Sequence, residues 1–248
     1  MNLRLLTYNV RYGGVGRDSP LAAVVRACHP DLVVLQEATR PDVIARVAGV
    51  CRMPTWASRR SESLGFMSRV PVAEHHWHHP RGSRHAFLEI VLAGVRCRVF
   101  GVHLSAVHSA WTERHRVREL RALMAGIRGH QQGVHVLAGD FNTLAPGELL
   151  DVRQLPYRLR ALVWLSGGTI RWQTIQQILD ARYVDAFRFL HPADAGLTFP
   201  TWNPHVRLDY VFVPELHVGR VKACRVVTDA PARDASDHFP LLAEIEID

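Results

Sequence analysis

Asn9, Glu37, Asp140, Asn142, Asp209 and Asp237 are acidic or amide residues, and each lies at the end of an apolar run, just beyond one, or within one. Asn9 closes the first such run, and Glu37 follows Asp31-Leu32-Val33-Val34-Leu35-Gln36. Asp140 and Asn142 come directly after the run that begins at Val134. Asp209 lies inside Arg207-Leu208-Asp209-Tyr210-Val211, and Asp237-His238 precedes the last apolar stretch. A charged group at the mouth of a strand can face a cleft while the strand itself stays buried. Oxygen ligands of this kind suit Mg²⁺ or Mn²⁺, which keep several waters and use one or two carboxylates. No Cys/His cluster competes as a zinc site. Each residue alone has a plain alternative, such as an Asx-turn at Asn9 or Asp140, a turn cap at Asp237 or an exposed carboxylate at Glu37. Their joint occurrence in this order is what points to a site.

The elements that must position these groups can be traced along the chain. Strand patterns cover residues 3–9, 31–36, 65–68, 71–74, 134–138, 207–213, 221–227 and 240–247, and residues 85–92 and 95–103 read as a hairpin about Ala93-Gly94. Helical spacing appears at residues 20–28 and again at 112–128, where Val117, Leu120, Leu123, Met124 and Ile127 recur before a stop at Gly129. Many strands with helices between them predict packed sheets flanked by helices, an α/β architecture. Strand character persists from one end to the other, so a single domain over residues 1–248 is expected. Residues 149–183 are the least strand-like. They hold an apolar patch at 159–165, a Gly167-Gly168 turn and a helix-like stretch at 171–181, readable as a lid or as an ordinary helix packed on the sheet.

Composition narrows the classes further. The chain has 248 residues, 48% hydrophobic and 21% charged, enough to bury a core without disulfides. Cys28, Cys51, Cys97 and Cys224 show no paired spacing and read as free thiols in a reducing compartment. The start lacks the pattern of a secretory signal, and no apolar run is long enough to span a bilayer, so a cytoplasmic location is expected. The formal charge of +7 favours polyanionic partners. Of the 30 basic residues only Lys222 is a lysine, and the arginines are scattered, so genome composition is an equal explanation of the excess.

The ordered blocks resemble the endonuclease/exonuclease/phosphatase superfamily over nearly the whole chain. Thr7-Tyr8-Asn9-Val10 looks like its opening strand, and residues 30–37 like the second, ending in a metal-binding glutamate. Gly65-Phe66-Met67-Ser68-Arg69 and Val102-His103-Leu104 match later strands. Gly139-Asp140-Phe141-Asn142, Arg207-Leu208-Asp209-Tyr210-Val211 and Ser236-Asp237-His238-Phe239-Pro240 complete the set. The resemblance implies a four-layer α-β-β-α sandwich with two packed mixed β-sheets and a cleft at one end of the strands. It implies Mg²⁺, with Mn²⁺ as a substitute, held by Glu37 with Asn9 beside it, and Asp237 assisting at the metal or orienting a histidine. Asp140 would orient or activate the attacking water and Asn142 contact the phosphate. Asp209 would pair with a site histidine, and His238 act as base or phosphate ligand.

One departure sharpens the reading. The family's abasic-site nucleases carry tyrosine at the position of His103 and aspartate at that of Arg11. His103 instead resembles the histidine with which deoxyribonucleases, sphingomyelinases and several other phosphodiesterases protonate the leaving oxygen. The expectation is a metal-dependent phosphoric ester hydrolase, most simply a phosphodiesterase acting as a monomer. A nuclease would use the arginine excess along a phosphate backbone with steep salt dependence. A lipid or small-molecule phosphodiesterase would use the 159–165 patch. A phosphomonoesterase and a catalytically dead binding module are the remaining alternatives. His75-His76-Trp77-His78-His79 reads as a partly exposed loop, Arg59, Arg60 and Arg84 as solvated arginines or phosphate clamps, and Trp202 as a core or rim residue.

Overall fold

Alternation in the first strand already separates the two faces of a sheet. In β1 (Asn2–Asn9), Leu3 and Leu5 join one apolar cluster while Leu6 and Tyr8 join another. A strand apolar on both faces belongs inside a layered structure. The computed structural model describes residues 1–105, 110–131, 133–148 and 172–248. The apolar patch at 159–165 and the Gly167-Gly168 turn lie outside those residues.

Among the described residues, two six-stranded sheets form the centre. The first contains β1, β2 (Leu32–Gln36), β3 (Thr55–Ala57), β4 (Gly65–Ser68), β11 (Val221–Val226) and β12 (Leu241–Glu246), in the order β11-β12-β1-β2-β4-β3. The second contains β5 (Val72–His78), β6 (Phe87–Leu92), β7 (Cys97–His103), β8 (Val134–Asp140), β9 (Tyr183–Asp185) and β10 (Asp209–Pro214), in the order β5-β6-β7-β8-β10-β9. Both are mixed: β1 pairs with β2, and β7 with β8, in parallel, and the other pairs are antiparallel. The sheets pack on each other through Leu5, Leu32, Val34 and Phe66 from the first and Ile90, Val99, Val136 and Val211 from the second.

Helices cover the outer faces. In α1 (Asp18–Cys28) the buried residues Leu21, Val24, Val25 and Cys28 recur at the spacing that makes one apolar stripe. His29 ends that helix in a left-handed conformation just before Pro30. The stripe packs on the first sheet together with Val43, Ile44 and Val47 of α2 (Pro41–Val50) and with α6 (Ala230–Ala235). On the second sheet lie Leu120, Leu123 and Ile127 of α3 (Ala110–Ile127) and Ile175 and Ile178 of α4 (Gln173–Asp180). A further short helix, α5 (Ala186–Leu190), follows β9. The architecture is the four-layer α-β-β-α sandwich expected. All four cysteines are free and buried.

One expectation is corrected. His75 to His78 belong to β5, an edge strand paired with β6, rather than to a loop. Trp77 packs against the inter-sheet core and donates its indole N–H to the Leu64 carbonyl at 3.0 Å. His76 and His78 face carboxylates, Glu74 at 3.1 Å and Glu89 at 2.8 Å, so alternation rather than loop polarity explains the histidine run.

Gly139 explains the first letter of its motif. It sits in β8 against β7, where an added Cβ would lie 1.9 Å from the Val102 carbonyl oxygen. The strands can close at this point only because no side chain intervenes. Gly139→Ala is therefore expected to cost at least about 3 kcal/mol of unfolding free energy. Urea denaturation measures this, and a loss within about 0.5 kcal/mol, as for a neutral surface change, would contradict the close approach.

Candidate active site

The pleat that alternates core residues also delivers the polar ones. Leu3, Leu5, Thr7 and Asn9 recur at period two in β1, as do Val134, Val136, Ala138 and Asp140 in β8. His103 follows Val99 and Gly101 in the same phase, and Asp209 precedes Val211 and Val213. Each strand thus carries its inner face from apolar core to a polar side chain at one end. In the second sheet's register His103 and Asp209 both stand opposite Asp140, on neighbouring strands. These three are buried, Asp140 with only 1% of its surface exposed.

Asn9 joins the two sheets at this end. Its amide nitrogen donates to Asp140 Oδ2 at 3.1 Å and points to Glu37 Oε1 at 3.5 Å, while its oxygen accepts the Arg11 N–H at 3.0 Å. Glu37 leaves β2 in a left-handed conformation (φ 55), which costs about 1–2 kcal/mol for a residue with a Cβ. Its second oxygen accepts the Tyr12 N–H at 2.6 Å. Asn142, also left-handed, donates its backbone N–H to Asp140 Oδ1 at 2.8 Å and its side-chain amide to the Leu104 carbonyl at 2.9 Å. Phe141 between them is fully buried against Tyr210 and Phe212, which pins the motif to β10.

His238 completes the cluster. Its Nδ1 meets Asp209 Oδ2 at 2.9 Å and its Nε2 faces Asp140 Oδ2 at 3.8 Å. Burial disfavours the charged ring, but Asp209 and Asp140 outweigh it and hold its pKa up to about 9. Burial also raises Asp140 to about 7, with His238 opposing and Asp209 adding to the rise. His103 Nε2 lies 4.0 Å from Asp140 Oδ2, and burial, then His85 and His238, push this ring down to about 3, so it is neutral. His103 stacks on His85 with ring centroids 5.3 Å apart, and His85 Nδ1 lies 3.7 Å from the buried Glu119.

Asp237 is placed differently. Its Oδ2 lies 3.1 Å from Arg11 Nε, and its Oδ1 lies 3.3 Å from Ser236 Oγ. The structure therefore links Asn9, Glu37, His103, Asp140, Asn142, Asp209 and His238 through contacts of 4.0 Å or less, and sets Asp237 beside them with a cation of its own. Sequence reasoning did not single out Ser236, whose hydroxyl donates to the Asn9 carbonyl at 2.6 Å, nor the Glu119–His85 pair behind His103. Ser236 stands in the Ser-Asp-His block. His85 and Glu119 carry no local signal, since they meet only through tertiary packing. Arg59 lies over the Trp77 ring, and the Arg84 backbone N–H is held by Glu119.

The donor set fits a divalent cation. Ligand atoms of Asp140, Asp209 and His238 lie within 4.8 Å of one another, and Asp209 Oδ1 is buried with no hydrogen-bond partner among the described residues. Oxygens of Glu37 and Asp140 both reach the Asn9 amide nitrogen, so the carboxylates rather than the charged His238 ring are the groups that could hold the ion. Burial first, and then the neighbouring Asp209, raises Asp140, and oxygen-rich clusters of this kind take hard cations.

The family model of the endonuclease/exonuclease/phosphatase family matches residues 6–238. The chain belongs to that family. It is a metal-dependent phosphoester hydrolase, as the family's members are. No match was found among curated proteins. Among solved structures, the 3′-5′ exonuclease NExo from Neisseria meningitidis is 22% identical with a TM-score of 0.73, covering 98% of this chain and 100% of that one. A 3′ phosphatase NExo from Neisseria bound to product DNA hairpin gives 20% identity and 0.72, covering 98% and 99%. An AP endonuclease from Archaeoglobus fulgidus gives 16% and 0.73, also covering 98% and 99%. At such identities the likeness is one of fold. No helix among the described residues of this family member is long and apolar enough to cross a membrane.

The raised carboxyl has a stability consequence. A folded-state pKa above the ordinary carboxylate value means that the fold favours the protonated acid. That contribution is full below the ordinary value and is lost as pH rises through about 7. In metal-free protein, Asp140→Asn should therefore gain thermal stability relative to wild type as pH climbs from about 4 to about 7. A difference in Tm that stays constant across that range would contradict the raised carboxyl.

Proposed function

We propose that this protein is a Mg²⁺-dependent phosphodiesterase in which water attacks phosphorus in line with the leaving oxygen. The observation that carries the reading is the geometry of two buried neighbours: Asp140 faces His238 at 3.8 Å, while Asp209 bonds and orients that imidazole at 2.9 Å. A carboxyl that loses its proton before its neighbouring imidazole does can serve as base while the imidazole stays a cation.

Asp140 takes the proton of the attacking water, since it is the site group that becomes an acceptor near neutral pH. His238, kept charged and oriented by Asp209, faces the nonbridging oxygens on which negative charge builds. Asn142 donates to the same phosphoryl group. His103 is neutral until a phosphoryl anion docks beside it. That anion raises its pKa, so the ring takes up a proton from solvent and passes it to the leaving oxygen as the P–O bond breaks. Glu37 would hold Mg²⁺, with Asn9 spacing Glu37 from Asp140 and Asp237 adding negative charge beside them. When bound, the ion polarises a phosphoryl oxygen and offsets developing charge. The inter-sheet core includes residues from Leu3 to Ile247, which supports a single catalytic domain over residues 1–248. The Neisseria 3′ phosphatase of the same fold is bound to product DNA, which favours nucleic acid over lipid as the substrate.

Hydrolysis of bis(p-nitrophenyl) phosphate tests the reading. EDTA should abolish turnover and Mg²⁺ restore it, and Asp140→Asn or His238→Ala should each lower kcat/KM by ~10²–10⁴. The rate should rise with pH through a limb at or below about 7 and fall above about 9. Full turnover in EDTA, or variants within about twofold of wild type, would overturn it.

A further inference from the structure

We propose that the rim of the active site binds unpaired nucleobases, with Tyr12 and Trp202, each tied to the Asp237-His238 segment, as stacking platforms. This rests on the phosphodiesterase reading and names its substrate class as single-stranded nucleic acid.

Tyr12 and Trp202 are the most exposed aromatic side chains among the described residues, at 71% and 67%. Both are tied directly to the site. Tyr12 follows Arg11, and both are non-glycine residues in the left-handed region (φ 49 and 50), ahead of Gly13 and Gly14 in the same region. Consecutive residues of this kind are costly and persist only when the surroundings hold them. Here the holding contacts are to site residues, Arg11 N–H to Asn9 and Tyr12 N–H to Glu37. The Arg11 guanidinium lies 5.3 Å from the centre of the Tyr12 ring and reaches Asp237 at 3.1 Å, so a cation stands between the exposed ring and the site.

Trp202 is secured through its neighbour Thr201. Thr201 donates its N–H to the Asp237 carbonyl and its hydroxyl to the Ser236 carbonyl, each at 2.9 Å. Asn203 closes the turn with an N–H to the Pro200 carbonyl at 3.0 Å. Phe199 sits under Trp202, with ring centroids 6.4 Å apart, and against His238 at 4.7 Å. An indole left mostly in water on so firmly anchored a turn has an open face for a ligand.

The chemistry of the rim selects the ligand. A nucleoside phosphodiester carries a planar base one sugar away from each phosphate. Aromatic rings bordering a phosphoryl site and accompanied by a guanidinium match that spacing of flat faces and charge. Stacking tolerates any base, since each has a π-face, but requires that the base be unpaired. The net charge of +7 assists a strand of phosphates and does nothing for a neutral-headed lipid.

Fluorescence anisotropy decides the matter, using a labelled oligothymidylate of about eight nucleotides and an abasic strand of equal charge. Binding is measured with Mg²⁺ present and Asp140→Asn in every protein to slow turnover. The otherwise unaltered protein should prefer the base-bearing strand by at least about tenfold. Tyr12→Ala and Trp202→Ala should each erase most of that preference and leave abasic binding unchanged, while Tyr12→Phe and Trp202→Phe restore it. Equal affinity for the two strands, or a preference unaffected by the alanine variants, overturns the rim assignment. If bis(p-nitrophenyl) phosphate is nevertheless hydrolysed with Mg²⁺, the phosphodiesterase reading stands and a compact or lipid diester takes the place of nucleic acid. Absence of hydrolysis sinks that reading, and the base-to-abasic ratio still decides the rim.

Discussion

Two carboxylates buried on adjacent strands, with one imidazole between them, are the constraint around which the catalytic end is organised. Asp140 and Asp209 stand opposite each other in the register of β8 and β10, and both are almost wholly removed from water. Buried charges of like sign are tolerated only with compensation. His238 supplies it by bonding one and facing the other. Burial, with Asp209 adding to it, still raises Asp140, and an Asp209 oxygen is left without a partner among the described residues. The same burial of like charges that raises Asp140 would also favour a bound cation.

The sheets convert sequence spacing into that geometry. Inner-face residues at period two are core until the strand end, where the same phase yields Asn9, His103, Asp140 and Asp209. Asn9 then measures the gap between sheets, since its amide reaches a carboxylate from each. Gly139 allows the two central strands of the second sheet to approach, and Phe141 anchors the turn that follows. A four-residue motif is therefore a statement about backbone clearance, charge, packing and a left-handed turn in succession.

This explains which parts were legible in the sequence. Packed sheets flanked by helices, and the polar residues at strand ends, follow from apolar periodicity, whereas the two-sheet sandwich and the roles around Asp140 are what the resemblance of the ordered blocks implies. The β5 histidines were misread because polar residues on an edge strand look like a loop until their carboxylate partners on other residues are known. Short elements such as β3, and the α2 helix, were not foreseen. The pairing of Asp237 with Arg11 was equally hidden, since the two residues are far apart in sequence and an arginine there reads only as a departure from relatives. Arg207 belongs to a recognised block, yet nothing local shows that it is buried between Glu148 and Asp185. Family membership settles the reaction class. Substrate choice depends on rim residues such as Tyr12 and Trp202, whose exposure is a property of the folded surface.

The most direct test of the central claim is anomalous diffraction from a crystal soaked in Mn²⁺. The account predicts a peak within direct coordination distance of a Glu37 carboxylate oxygen, on the side facing Asp140 and Asp209, and its loss in Glu37→Gln. A peak confined to other parts of the molecule, or one that persists undiminished in Glu37→Gln, would contradict it.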